Sequence, residues 1–163
     1  MDTGRNVESK KLQAPVFTIK LLVDRHISKK SHFRIWRGRM GKSEDLMAAE
    51  KFLTLALISR KNEMGIKQPI KGELWVIFRF YFKDFYTKKG TRSRFVNDLS
   101  NLYELPQDCL QAAGVIENDS DIVSHDRSRR LPGKENAIEI EIYQFKEFER
   151  LPTQDTCPVC YRA

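Results

Sequence analysis

Long apolar runs are missing from this 163-residue chain, and none approaches the roughly 20 residues that a membrane span requires. The opening stretch, MDTGRNVESKK, has no apolar core, so no secretory signal is expected there. Cysteine is scarce. Three of them, without a secretion signal, argue for a reducing cytoplasm and against a disulfide scaffold. The three histidines, His26, His32 and His125, show no metal-ligand spacing with one another. No serine sits in a strained elbow motif, so a nucleophilic triad is not supported. No internal repeat is visible. Secreted, membrane and fibrous classes are set aside.

What remains suits one ordinary domain. An apolar content of 40%, with 10% aromatic, is enough for a single core. Twenty-nine Lys and Arg against 22 Asp and Glu leave a net charge of +7, which favours an anionic partner.

Residues 1–14 read as a polar arm, 15–146 as the domain, and 147–163 as a tail. Val16 to Val23 is short, β-branched and nearly continuously apolar, as a strand covered on both faces would be. From Arg25 to Lys42 there are seven basic residues and no acid, with Phe33 and Trp36 interleaved and two glycines that suggest a turn or loop. Ser43 then looks like an N-cap, and Leu46, Ala49, Leu53 and Leu57 carry a helix to about Lys61. In Glu73 to Lys83, Leu74, Val76, Phe78, Phe80 and Phe82 take one face of a strand, while Trp75, Ile77, Arg79 and Tyr81 take the other. A second basic loop, Tyr86 to Arg94, leads into a helix from about Asp98 to Ala113. Two closing strands, Ser120 to Ser128 and Asn136 to Phe145, are expected around Pro132-Gly133. The β-α-β-α-β-β order predicts an α+β fold, a mixed sheet with helices packed on it.

The segment from Asn97 to Asp121 holds the densest group of carboxylates. On the helix, Leu102, Leu105, Cys109, Ala112 and Ala113 form an apolar arc, bordered by Asn101, Glu104 and Asp108. Like charges at i,i+4, such as Glu104 and Asp108, cost a few tenths of a kcal/mol unless a cation sits between them. After Gly114 come Glu117, Asn118, Asp119 and Asp121. If the chain folds back, Asp119 approaches Asp98, and converging carboxylate oxygens are what Mg²⁺ requires. A solvated helix edge followed by an ordinary acidic turn is the plain alternative. Pro106 implies either a kink or a second helical turn starting there, since proline costs about 3 kcal/mol in a helix interior.

Asp98-Leu-Ser100-Asn101-Leu102-Tyr-Glu104-Leu-Pro-Gln-Asp108-Cys-Leu110, followed by Asn118-Asp119, resembles the signature of the RusA family of Holliday-junction resolvases. That signature runs Asp-x-Asp-Asn-Leu-x-Lys-x-x-x-Asp-x-Leu, then an Asp-Asp pair before a strand. The resemblance spans roughly Val16 to Phe145. It implies that Asp98 and Asp119 are metal-binding aspartates, that Asp108 is the helix aspartate, and that Arg129 is a basic residue of the following strand. Two positions depart, Ser100 for an aspartate and Glu104 for a lysine. Glu104 then reads as a relocated ligand. The resemblance further implies a Mg²⁺-dependent (or Mn²⁺-dependent) endodeoxyribonuclease of a bacterium or phage, cytoplasmic, in recombination and repair. It would act as a homodimer on branched DNA, with the metal activating water at the scissile phosphate. A non-catalytic branched-DNA-binding protein of the same fold is the alternative. Neither membrane nor small-molecule substrate is expected.

The charge layout agrees. Lys88, Lys89, Arg92 and Arg94 in one loop, and Arg34, Arg37 and Arg39 in the other, suit phosphates, and Trp36 suits stacking on unpaired bases. The plain alternative is a solvated loop over a core tryptophan. Cys157 and Cys160 have zinc-knuckle spacing but supply two ligands of four, so a reduced tail without zinc is the expectation.

Overall fold

The computed structural model describes residues 14–28, 33–36, 39–93 and 98–145. Within these ranges the strands are β1 (Phe17–Leu22), β2 (Phe33–Trp36), β3 (Arg39–Lys42), β4 (Leu74–Phe82), β5 (Ile122–Ser124), β6 (Arg129–Pro132) and β7 (Ala137–Gln144). Two helices, α1 (Glu44–Glu63) and α2 (Leu99–Ala112), and a 3₁₀ turn (Asp119–Asp121) complete the set. The α+β reading holds. None of the described helices is long and apolar enough to cross a membrane.

The main sheet runs β1-β7-β4, with β5 and β6 paired in succession along the far edge of β4. Pairing is antiparallel between β1 and β7 and between β7 and β4, and parallel from β4 to both β5 and β6. Parallel neighbours need a long crossover, and α2 supplies it. Two expectations change here. The chain from Arg25 to Lys42 contains a hairpin, β2 against β3, where a turn or loop was expected. The closing strand expected from Ser120 to Ser128 is only β5, ended before a turn at Arg127 whose φ of 68° no strand tolerates, and a further strand, β6, begins at Arg129 where the connection was expected.

Alternation along β4 puts Leu74, Val76, Phe78 and Phe80 on the helix-covered face, where all are buried beside Phe17, Ile140 and Ile142. Each such side chain contributes about 1.5–3 kcal/mol. Helix α1 starts where Ser43 Oγ accepts from the Leu46 amide at 3.2 Å, and it adds Leu46, Leu53 and Leu57 to the core. Its Arg60 Nε donates to Thr18 O at 2.9 Å, tying its last turn to β1.

The opposite sheet face carries a small cluster of Trp75, Ile77 and Tyr143, then a charged lattice. Arg79 spans Glu139 (3.3 Å) and Glu141 (2.9 Å), while Tyr81 Oη donates to Glu139 at 2.7 Å and Tyr143 Oη to Glu141 at 3.0 Å. The bond from Arg79 holds the Glu141 carboxyl below its usual range.

Candidate functional site

Helix α2 anchors the carboxylates. Leu102, Leu105, Pro106, Cys109 and Leu110 are buried on one side, so the apolar arc faces the core. The helix runs through Pro106 without ending, which answers the choice left open by the sequence: there is one helix, with proline inside it. Pro106 has no N–H to offer the Leu102 carbonyl, and its buried ring offsets part of that loss through packing. Burial pushes the Cys109 thiol up to about 11, so it stays protonated and inert.

Asp98 is the N-cap residue of α2, with its side chain 78% exposed and 3.8 Å from Arg130 Nη1. Sequence reading chose Arg129; it lies exposed on β6, and its neighbour Arg130 is the one turned toward Asp98. Successive strand residues face opposite ways, and two adjacent arginines give no sign of which is which. Glu104 and Asp108 are half-buried, on the border of α2 away from the core arc.

Tyr103 and Gln107 line the flank of α2 toward β5, where His125 waits. The Val76 carbonyl accepts a bond from His125 Nδ1 at 3.3 Å, so Nδ1 carries the proton. Nε2 then accepts from Gln107 Nε2 at 2.7 Å, and the ring stacks on Tyr103 at 4.6 Å. Burial moves the His125 pKa below its ordinary value. The histidine is a fastener between helix and sheet, with both ring nitrogens occupied.

These contacts fix the direction of α2. Asp98 lies by Arg130 in β6, Gln107 lies by His125, and Asp119 precedes β5 beyond the far end of the helix. At 1.5 Å per residue, the 14 residues of α2 put its two ends roughly 20 Å apart. Within one chain, Asp98 and Asp119 thus lie toward opposite ends of α2. Asp119 is exposed at the start of the 3₁₀ turn, where Asn118 Oδ1 accepts from the Ser120 amide at 3.0 Å. Glu117 pairs with Lys71 at 2.8 Å. Among the described residues, no three His, Cys, Asp or Glu side chains are grouped to hold a metal ion.

Beyond β4 the chain folds back on itself, with Thr87 N donating to Thr91 O at 2.7 Å and Ser93 N to Phe85 O at 2.9 Å. Gly90, at φ 76°, makes the turn, leaving Lys88, Lys89 and Arg92 exposed. Arg129 and Arg130, at the start of β6, pair with Arg79 and Phe80 in the second half of β4, and Asp98 lies beside Arg130. Arg34, Trp36 and Arg39 lie on the strands of the β2–β3 hairpin. Arg37, Arg94, Cys157 and Cys160 fall outside the described residues.

The model of one protein family, endodeoxyribonuclease RusA, matches residues 26–143. No curated protein matches the chain. The matched span covers most of the sequence, from the segment before the first hairpin to the last strand of the sheet, and includes both ends of α2 and the basic loop. The chain belongs to the RusA family of endodeoxyribonucleases.

Proposed function

We propose that this chain is a structure-selective endodeoxyribonuclease that resolves Holliday junctions or related branched DNA in the cytoplasm, as a homodimer with a divalent cation, Mg²⁺ before Mn²⁺. The observation that carries this reading is the positive N-terminus of α2, where Asp98 lies 3.8 Å from Arg130, preceded in the chain by the exposed loop with Lys88, Lys89 and Arg92. Cations at that edge suit a phosphate backbone, and a carboxylate among them suits chemistry on it. Asp98, Glu104, Asp108 and Asp119 are the metal-binding candidates. Because the helix holds the two aspartates apart, the reading requires two copies, the Asp98 end of one chain meeting the Asp119 end of the other. Arg34, Arg37, Arg39 and Trp36 would extend the grip on DNA.

A Mg²⁺ titration with a synthetic four-way junction, followed by electrophoresis, tests it. Cleavage supports the nuclease. Binding without cleavage supports a second reading, a junction-binding protein that no longer cuts, which Ser100 in place of a family aspartate favours. Two variants decide further. If Glu104 has taken over as ligand, Glu104→Gln should lower cleavage about a hundredfold while Ser100→Ala stays within a few fold. Equal tolerance of both favours the second reading.

A further inference from the structure

Helix α1 is apolar on two sides. One side buries Leu46, Leu53 and Leu57 in the core. On the other, Met47, Phe52, Leu55 and Ile58 are left between 37% and 56% exposed. Single surface leucines need no explanation, but four large apolar side chains along the outer face of one helix mark a contact surface. The exposed positions also keep a period. Glu44, Ala48, Lys51, Leu55, Ile58 and Asn62, all exposed, recur in alternating steps of four and three, the spacing of a seam between paired helices.

The seam selects its partner. It holds one anion and one cation, Glu44 and Lys51, so a phosphate backbone finds no net attraction there. Reversed, it is complementary to itself. About a twofold axis level with Leu53, Lys51 of one copy lies opposite Leu55 of the other, Ala48 opposite Ile58, and Glu44 opposite Asn62. Small faces large, and no charge meets its like. The acidic first turn of each helix, with Glu44 and Asp45, then lies beside the basic last turn of the other, with Arg60 and Lys61. A parallel pair would instead set Lys51 against Lys51 and Glu44 against Glu44.

We propose that the exposed face of α1 docks a second copy of this chain, the two α1 helices packing antiparallel across a twofold axis. The inference deepens the two-copy reading above and rests on it for its functional meaning. Neighbours along α1 and α2 advance in the same sense: Leu102 lines a cavity with Asp45 and Ala48, the Cys109 thiol lies 3.8 Å from the Glu50 carbonyl, and Gly114 lies beside Lys61 Nζ. Reversing α1 therefore reverses α2. The Asp98 end of one copy and the Asp119 end of the other are turned toward the same end of the pair, as a shared site requires.

Sedimentation equilibrium of the full chain, without DNA or metal, tests the surface, and cysteine crosslinking tests the register. The unaltered chain should sediment as a dimer. Leu55→Lys, at an exposed position facing Lys51 of the partner, should raise the dimer dissociation constant about a hundredfold, while an unchanged circular dichroism spectrum reports that it folds. With Cys157 and Cys160 replaced by serine, chains carrying Ala48→Cys or Ile58→Cys should form no disulfide alone under mild oxidant. A co-refolded mixture of the two should form one, since a disulfide needs Cα atoms within about 7 Å. A monomeric unaltered chain overturns the proposal and leaves the face to a different partner, and an unchanged dimer in Leu55→Lys also overturns it. A crosslink in either variant alone, or none in the mixture, overturns the antiparallel seam. Cleavage of a four-way junction with Mg²⁺ judges the nuclease reading separately. Cutting by a protein whose dimer ignores Leu55→Lys keeps that reading and discards this surface, whereas an α1 dimer that never cuts does the reverse.

Discussion

A carboxylate that holds a metal opposite a phosphate repels DNA when the metal is absent, and the proposed role of Asp98 and Asp119 as metal ligands therefore predicts an unusual signature. Asp98→Asn and Asp119→Asn should each lower junction cleavage by about a hundredfold or more while binding stays equal or tightens, as a gel shift beside a cleavage assay would show. Wild-type cleavage by either variant removes that residue from the site. The histidines make a different prediction. His26 and His125 both titrate below the ordinary imidazole value of 6.5, chiefly because burial penalises the charged ring. The unfolded chain then binds more protons than the folded one, so their contribution is complete above pH 6.5 and drains away as pH falls below it. The thermal midpoint should decline between pH 7 and pH 5, and His125→Gln should make that decline shallower. An unchanged slope in the variant would assign the acid sensitivity to other groups.

Elements with a clean period were legible in the sequence. The alternation of β4 and β7, and the leucine spacing of α1, gave strands and helix within a few residues of where they lie. The β2–β3 hairpin was not legible, because Phe33–Trp36 and Arg39–Lys42 are short and their arginines and glycines read as loop. Nor was the division between β5 and β6, which depends on one residue with positive φ. In the site, residue types were legible and distances were not: i,i+4 spacing places Glu104 beside Asp108, but nothing local reveals that Asp119 emerges at the opposite end of α2 from Asp98. The same limit hid Gln107 and Arg130, whose partners, His125 and Asp98, lie on other parts of the fold. The loop after β4 allows a test at this scale. Replacing Lys88, Lys89, Arg92 and Arg94 together with alanine should weaken binding to all DNA, and each lost phosphate contact should reduce the slope of log affinity against log salt by about 0.9. An unchanged slope would move the phosphate grip to the segment between Arg25 and Lys42.

At the scale of the molecule, a site divided between two copies predicts complementation. Asp98→Asn and Asp119→Asn chains, each inactive alone, should regain cleavage when unfolded together and refolded as a mixture, since one of the two sites in a mixed dimer then holds both aspartates. A mixture as inactive as its parents would place both aspartates of a site in the same chain. The sheet itself has an order of assembly written into it. Among the described residues, strand β1 pairs with β7 alone, Phe17 opposite Ile142 and Leu22 opposite Ala137, so the first described strand is partnered by the last. A nascent chain leaving the ribosome therefore carries β1 with its hydrogen-bonding edge unmatched until nearly all of the domain has emerged. Its apolar residues meanwhile must be sheltered or kept apart from neighbouring chains. Translation speed and chaperone supply, quantities outside the folded structure, should consequently set how much of this protein reaches the state in which β1 and β7 are stitched side by side.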